Sequence, residues 1–294
     1  MQAATGMDEP ADSEPETGGL VRLRLDLSYD GTGFAGWAVQ PGQRTVQGTV
    51  EAALAVVLRR PVHLTVAGRT DAGVHASGQV AHADVPMTVW VADGPKLLRR
   101  LAGVLPPDVR VRGIALAPPD FDARFAALSR RYVYRLSDAP WGVPPLRRLD
   151  TVGWSRSLDV EAIRQAAAGL IGLHDFTAFC KHRPYATATR TLQVLDWERL
   201  PGGLVVATVQ ADAFCHNMVR GLVGCLLGVG EGRRPVEWPV SLLAATKRSG
   251  AVPVAPAHGL TLVDVTYPDD LDLAARTAQT RARRTDLPAL RPES

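Results

Sequence analysis

One stretch concentrates more reactive side chains than any other. The run AGRTDAGVHASGQ at 67–79 gathers Arg69, Thr70, Asp71, His75 and Gln79 between two apolar runs. Loops at strand ends are where a rigid scaffold presents reactive groups. A carboxylate at such a place can act as nucleophile or base, and Arg69 stands two residues from Asp71 as a partner for its charge. The same residues also read as an ordinary turn, because Asp and Gly favour turns for backbone reasons alone.

Three further motifs carry chemistry. In RRYVYR at 130–135, strand alternation puts Tyr132 and Tyr134 on one face and Arg131, Val133 and Arg135 on the other. A Tyr beside arginines suits a base-stacking platform with phosphate contacts; a plain strand with a solvated basic face is the alternative. FCHNMVRGLVG at 214–224 reads as a helix whose apolar face (Phe214, Met218, Leu222, Cys225) carries Arg220. A buried Arg needs a partner, and a carboxylate such as Asp71 would supply one. His216 and Asn217 read as surface. GTGFAG at 31–36 fits the dinucleotide pattern G-x-G-x-x-G, but that site requires a helix to begin within the glycines. Trp37 and Gln40-Pro41-Gly42 follow instead, which is turn chemistry.

These motifs need a frame. Val21, Leu23, Leu25, Leu27 and Tyr29 alternate with polar residues as a half-buried strand. Residues 45–59 read as a helix that Thr45 caps. Val62–Val66 and Gln79–Val85 read as strands on either side of the Asp71 loop. A helix capped by Asp93 carries Lys96–Leu105, and strands follow near Arg110–Leu116 and Tyr132–Leu136. A helix at 159–171 and a hairpin of Arg190–Leu200 with Gly203–Gln210 across Pro201-Gly202 come next. Helices at about 214–229 and 238–248 and a strand at 259–267 complete the pattern. It predicts an α+β fold with mostly antiparallel sheet. The organisation reads as an acidic tail at 1–20, an N-terminal half at 21–136, a Pro- and Gly-rich connector at 137–158, a C-terminal half at 159–268, and an Arg-rich flexible tail at 269–294.

Composition bounds the function. Of 294 residues, 46% are hydrophobic and 21% charged, as in a soluble globular chain. The net charge is +3 and the pI about 8.9, which permits a nucleic-acid partner. The first 20 residues carry acids and no Lys or Arg, so the body is more basic than the whole. No apolar run is long enough to span a membrane. Three cysteines (Cys180, Cys215, Cys225) without a CxxC pair argue for a reducing compartment and against both a disulfide framework and a metal site. The expected location is the cytoplasm.

The segments YDGTGFAGW (29–37), GRTDAGVHASGQV (68–80), FDARFAALSRRYVYRL (121–136), HDFTAFC (174–180), FCHNMVRGLVG (214–224) and GLTLVDVTY (259–267) together resemble the tRNA pseudouridine synthase A family. They occur in the family's order across nearly all of 21–268; Ala38 departs from it, where Gln usually follows GW. The resemblance implies the pseudouridine synthase fold: two halves, each with a mostly antiparallel sheet flanked by helices, and an active-site cleft between them. It implies a homodimer that isomerises uridine at positions 38, 39 and 40 in the anticodon stem-loop of tRNA, with no cofactor and no metal. By the same resemblance Asp71 is the catalytic aspartate, Tyr132 (rather than Tyr134) stacks on the target base, and Arg220 pairs with the aspartate. Leu260 packs near the base, Arg69 holds the vacated base position, and Arg190 helps bind RNA.

That chemistry suits those residue types. The N1–C1′ bond must break, the base must turn, and a C5–C1′ bond must form. The target base must leave its stack, which a stacking Tyr and a basic cleft offset. The carboxylate can add to C1′ or C6, or act as a base on a glycal route, and the sequence leaves these open. An RNA-binding module without catalysis is the rival from another class. An acid in a phosphate cleft does not help binding alone.

Overall fold

The computed structural model describes residues 19–182 and 187–285. The expected acidic tail lies, up to residue 18, outside the described residues, as does the chain after Thr285.

The first strand forms where period 2 demands it. β1 (Leu20–Tyr29) buries Leu23, Leu25, Leu27 and Tyr29 and turns the intervening residues outward. After a 3-10 turn at Gly31–Gly33 comes α1 (Val46–Leu58). Thr45 caps it by accepting a hydrogen bond from the Gly48 amide. β2 (Thr65–Val66) and β3 (His75–Pro86) flank the Asp71 loop. The next helix, α2 (Met87–Val104), starts six residues before the expected cap, with Pro95 inside it. Asp93 does not cap it; its carboxylate takes a hydrogen bond from Arg100, seven residues further along the helix, at 2.5 Å. β4 (Val109–Ala117), β5 (Ser129–Ser137) and the short β6 (Val152–Gly153) follow.

The second part holds α3 (Val160–Ala168), β7 (Gly172–Asp175), β8 (Thr189–Leu200) and β9 (Leu204–Ala211). Then come α4 (Met218–Gly230), a single turn α5 (Trp238–Ser241) and β10 (Leu260–Thr266). The anticipated helix over 238–248 is only α5 and a 3-10 turn at Leu242–Ala244. Where the sequence reads as a tail, α6 (Leu273–Thr285) forms. Its Arg276 donates to the carbonyl of Ala127, and Arg281 pairs with Asp122.

The strands join in one ten-stranded sheet, in the order β4-β1-β3-β10-β5-β9-β8-β7, with β2 on β3 and β6 on β5. The pairings are antiparallel except β10 with β3 and β5 with β6. β10, last in sequence, is therefore central in space. It pairs Thr261 with His75 on one side and Leu260 with Tyr134 on the other. α2 packs on β1, β3 and β4 with α1 against it, while α3 packs on β8 with α4 against it. The Asp71 loop leads into the start of β3, where His75 and Ala76 pair with β10.

Candidate functional site

The Asp71 loop is held from below by polar groups that are themselves buried. Tyr29, at the end of β1, shares a 2.8 Å hydrogen bond with the Thr70 hydroxyl. Gln79, fully buried on β3, donates to the Tyr29 oxygen and to the Gly68 carbonyl. Burial pushes the Tyr29 phenol up to about 12, so it stays neutral and works as a fixed strut. Gly68 and Thr70, on the N-terminal side of Asp71, are thereby tied to the sheet.

The glycines of 31–36 explain themselves against this loop. A Cβ on Gly31 would collide with the Val74 carbonyl. Gly36 has φ of +99°, and its Cβ would sit 2.9 Å from the Thr70 oxygen. Only glycine lets the two loops lie this close. Their backbones then bond directly: the Trp37 amide donates to the Thr70 carbonyl and the Gly73 amide to the Phe34 carbonyl. The 3-10 turn spans three residues and no α-helix begins before Val46, so the helix that a dinucleotide site requires is not there. GTGFAG is a buttress for the Asp71 loop.

Asp71 itself is two-thirds covered, with its carboxylate facing the N-terminal end of α4. Arg220 Nη1 lies 3.7 Å from one oxygen and His216 Nε2 lies 3.4 Å from the other. Arg220 is oriented by its Nε, which donates to the Ala255 carbonyl at 2.7 Å. Both separations are longer than a well-made hydrogen bond, and catalytic contacts of this kind often tighten when a substrate enters. The expected pairing of Asp71 with Arg220 is thus present. His216, read from the sequence as surface, is in the site.

The helix that carries Arg220 is shorter than its pattern. It starts at Met218, not Phe214, because Asn217 adopts the left-handed conformation with φ of 67°. Phe214, Cys215 and His216 thereby leave the helical line. Phe214 meets Tyr132 edge-on, with ring centroids 5.2 Å apart. Cys215 is disulfide-bonded to Cys180, which corrects the expectation of free cysteines; only Cys225 is free, and it is buried.

Tyr132 is 7% exposed, and its hydroxyl makes no hydrogen bond to any described residue. Burial, with Tyr29 and Asp71 nearby, pushes its pKa well above that of a free phenol, against the opposing pull of Arg130. It stays protonated at neutral pH. Tyr134 is fully buried and donates to the Pro256 carbonyl, so its hydroxyl is committed. Leu260 pairs with Tyr134 across β10 and β5, 5% exposed, on the face that also carries Tyr132.

The remaining sequence-derived residues divide. Arg69 is exposed beside Asp71 and makes no hydrogen bond or ion pair among the described residues. Arg190 stands on β8, two strands from β5, held locally by the Thr187 hydroxyl and the Thr189 carbonyl. Arg130, noted only as part of a basic run, is buried. It donates to the carbonyls of Ala67, Arg124 and Asp212, joining the start of the Asp71 loop to the end of β9. The alternation that puts Tyr132 and Tyr134 on one face of β5 also puts Arg130 there and Arg131 opposite, and that is the signal that could have found it. Among the described residues no group of three His, Cys, Asp or Glu is placed to hold a metal ion. Among the described residues no helix is long and apolar enough to cross a membrane.

Known proteins share this chain's sequence along nearly its whole length. A protein from Frankia casuarinae named tRNA pseudouridine synthase A is 65% identical over 269 residues, which cover 91% of this chain and 97% of that one. This chain belongs to the tRNA pseudouridine synthase A family. Relatives of the same name from Streptomyces griseus and Mycobacterium leprae are 58% and 52% identical, with 91% and 90% of this chain and 95% and 96% of theirs covered. A family model described as tRNA pseudouridine synthase matches residues 166–268, the part that carries Arg220 and Leu260. The large sheet flanked by helices is accordingly the pseudouridine synthase fold, and within it the loop that holds GRTD at 68–71 brings Asp71 to Arg220.

Proposed function

We propose that this chain isomerises uridine to pseudouridine at positions 38, 39 and 40 in the anticodon stem-loop of tRNA, with Asp71 as the catalytic carboxylate. Family membership carries the reaction class, an isomerase acting on tRNA. The observation that carries the site is the Asp71 carboxylate, partly open to solvent, faced by Arg220 and beside the uncommitted hydroxyl of Tyr132. The target base flips out of its stem and lies against Tyr132, over the apolar floor that includes Leu260. Arg69, exposed at the rim, occupies the space the base vacates, and Arg190 contacts the RNA further along the sheet.

Asp71 attacks C1′ or C6, or removes a sugar proton to give a glycal. Arg220 holds it charged and in place throughout. After rotation the new C5–C1′ bond forms, C5 gives up its proton, and N1 gains one. The reaction is redox-neutral and rearranges one nucleotide, so the proposal includes no metal and no cofactor. The Tyr132 hydroxyl, protonated as burial dictates, can take the C5 proton only by passing its own onward. The working unit is a homodimer in the cytoplasm.

Tritium release from tRNA labelled at uridine C5 tests this directly. Wild type is expected to release tritium, and Asp71→Asn to release none while tRNA affinity falls little. Clear turnover by a clean Asn variant would remove Asp71 from the chemistry. No release by wild type from any tRNA would leave an RNA-binding protein.

A further inference from the structure

We infer that His216 is a positioning residue for Asp71, one that fixes the plane of the carboxylate. This rests on the reading of Asp71 as the reacting group. The terminal torsion of an Asp is broad and roughly twofold, so a contact on one oxygen leaves the group free to swing. Here each oxygen has its own partner: Arg220 Nη1 on Oδ2 and His216 Nε2 on Oδ1. Both come from the same short segment and reach the carboxylate from neighbouring directions. Together they set its orientation relative to Tyr132.

The backbone around His216 is built to aim it. Asn217 takes a left-handed conformation that non-glycine residues rarely adopt. Such strain persists where surrounding structure enforces it, and it gathers at functional sites. The enforcing contacts are present. The His216 carbonyl accepts from the Lys181 amide at 2.9 Å, and the Asn217 carbonyl accepts from Gly221 at 2.8 Å. Cys215, the preceding residue, packs against Cys180, with the two Cα atoms 5.9 Å apart. Gly221 lies so near the Phe179 carbonyl that its Cβ would stand 2.6 Å away. The segment 215–217 is therefore clamped between residues 179–181 and the first turn of α4. From that segment the imidazole, 22% exposed, reaches Asp71 Oδ1 with its Nε2 at 3.4 Å.

A donor on Oδ1 matters most in the middle of the reaction. While the detached uracil turns, nothing covalent ties the base to the sugar, and Asp71 must keep its place for the second bond. Arg220, already committed to the Ala255 carbonyl through Nε, holds one oxygen only.

The test compares His216→Ala and His216→Gln with wild type and Asp71→Asn, reading single-turnover tritium release at saturating enzyme, tRNA Kd and Tm. Loss of a hydrogen bond to a charged group predicts a single-turnover rate roughly 10- to 100-fold lower in the Ala variant, with Kd and Tm close to wild type. The Gln amide can donate from nearly the same place and is expected to recover most of that rate. Any of three results overturns the inference: a wild-type rate in the Ala variant, a defect confined to Kd, or a folded Gln variant no faster than Ala. Inert Asp71→Asn beside fully active His216→Ala would retire the His216 assignment alone. An inert wild type would retire the underlying reading and this assignment with it.

Discussion

Tyr132→Phe separates platform from proton carrier. The substitution removes one oxygen that bonds to no described residue and keeps the ring that stands edge-on to Phe214. Losing an unpaired hydroxyl leaves no buried partner unsatisfied, so folding stability is expected to change by less than about 0.5 kcal/mol. Stacking on the base is likewise retained, and tRNA Kd should move by less than about twofold, since the aromatic face supplies the stacking energy. The chemistry is another matter. A positioned acid–base group contributes roughly 10²- to 10⁴-fold, which is about 3–5 kcal/mol of barrier. The Phe variant should therefore lose rate in that range at saturation. Single-turnover tritium release with excess enzyme reads the chemical steps, and filter binding reads Kd on the same preparations. A Phe variant at the wild-type rate would refute the proton-carrier role and leave Tyr132 as a stacking surface. A loss confined to Kd would show that the hydroxyl binds RNA instead.

Gly36→Ala forces a Cβ into a positive-φ position 2.9 Å from the Thr70 carbonyl; roughly 1–3 kcal/mol of stability is expected to go, seen as a lower Tm. Turnover should fall further than the unfolded fraction explains, because Thr70 adjoins Asp71; equal Tm and turnover would mean that the buttress is unimportant. Alkaline stability follows from Tyr29. Its folded pKa, about 12, exceeds the ordinary phenol value of 10, so its contribution is complete below pH 10 and is lost as pH rises toward 12. The two-unit gap is worth about 3 kcal/mol. Thermal melts between pH 8 and 11.5 should show that decline, and Tyr29→Phe should flatten part of it; identical pH profiles for both proteins would refute the assignment.

How much of this was legible in sequence depended on range. β1 and α1 are local patterns with a cap residue in place, and both form within a residue or two of expectation. The hairpin of β8 and β9 was visible at Pro201-Gly202 for the same reason. α2 was misplaced because Asp93 resembles a cap while Val89 and Trp90 pack partly on the core, and because Pro95 reads as a breaker. α6 was hidden by its polarity. Within the site, Asp71 and Arg220 were recognised through their motifs, and Gly31 and Gly36 were seen as turn residues without their partner. His216 was missed because its position depends on one left-handed residue, Asn217, that interrupts an otherwise helical pattern. Arg130 was missed although period 2 puts it on the face of Tyr132, because a charged residue at a strand start reads as solvated.

β10 sets a timetable. It occupies the slot between β3 and β5, and the bond from His75 to the His258 carbonyl spans 183 residues. At roughly 5–20 residues per second of synthesis, the edge of β3 waits roughly 10–40 s for its neighbour. Over that interval β3 is paired with β1 and β2 but is open at His75 and Ala76, where β10 will join it, and the Asp71 loop that precedes those residues stands without its neighbour. A chain that stops short of residue 260 lacks the strand that joins β3 on one side to β5 on the other, so the two parts of the sheet meet only when synthesis is nearly complete.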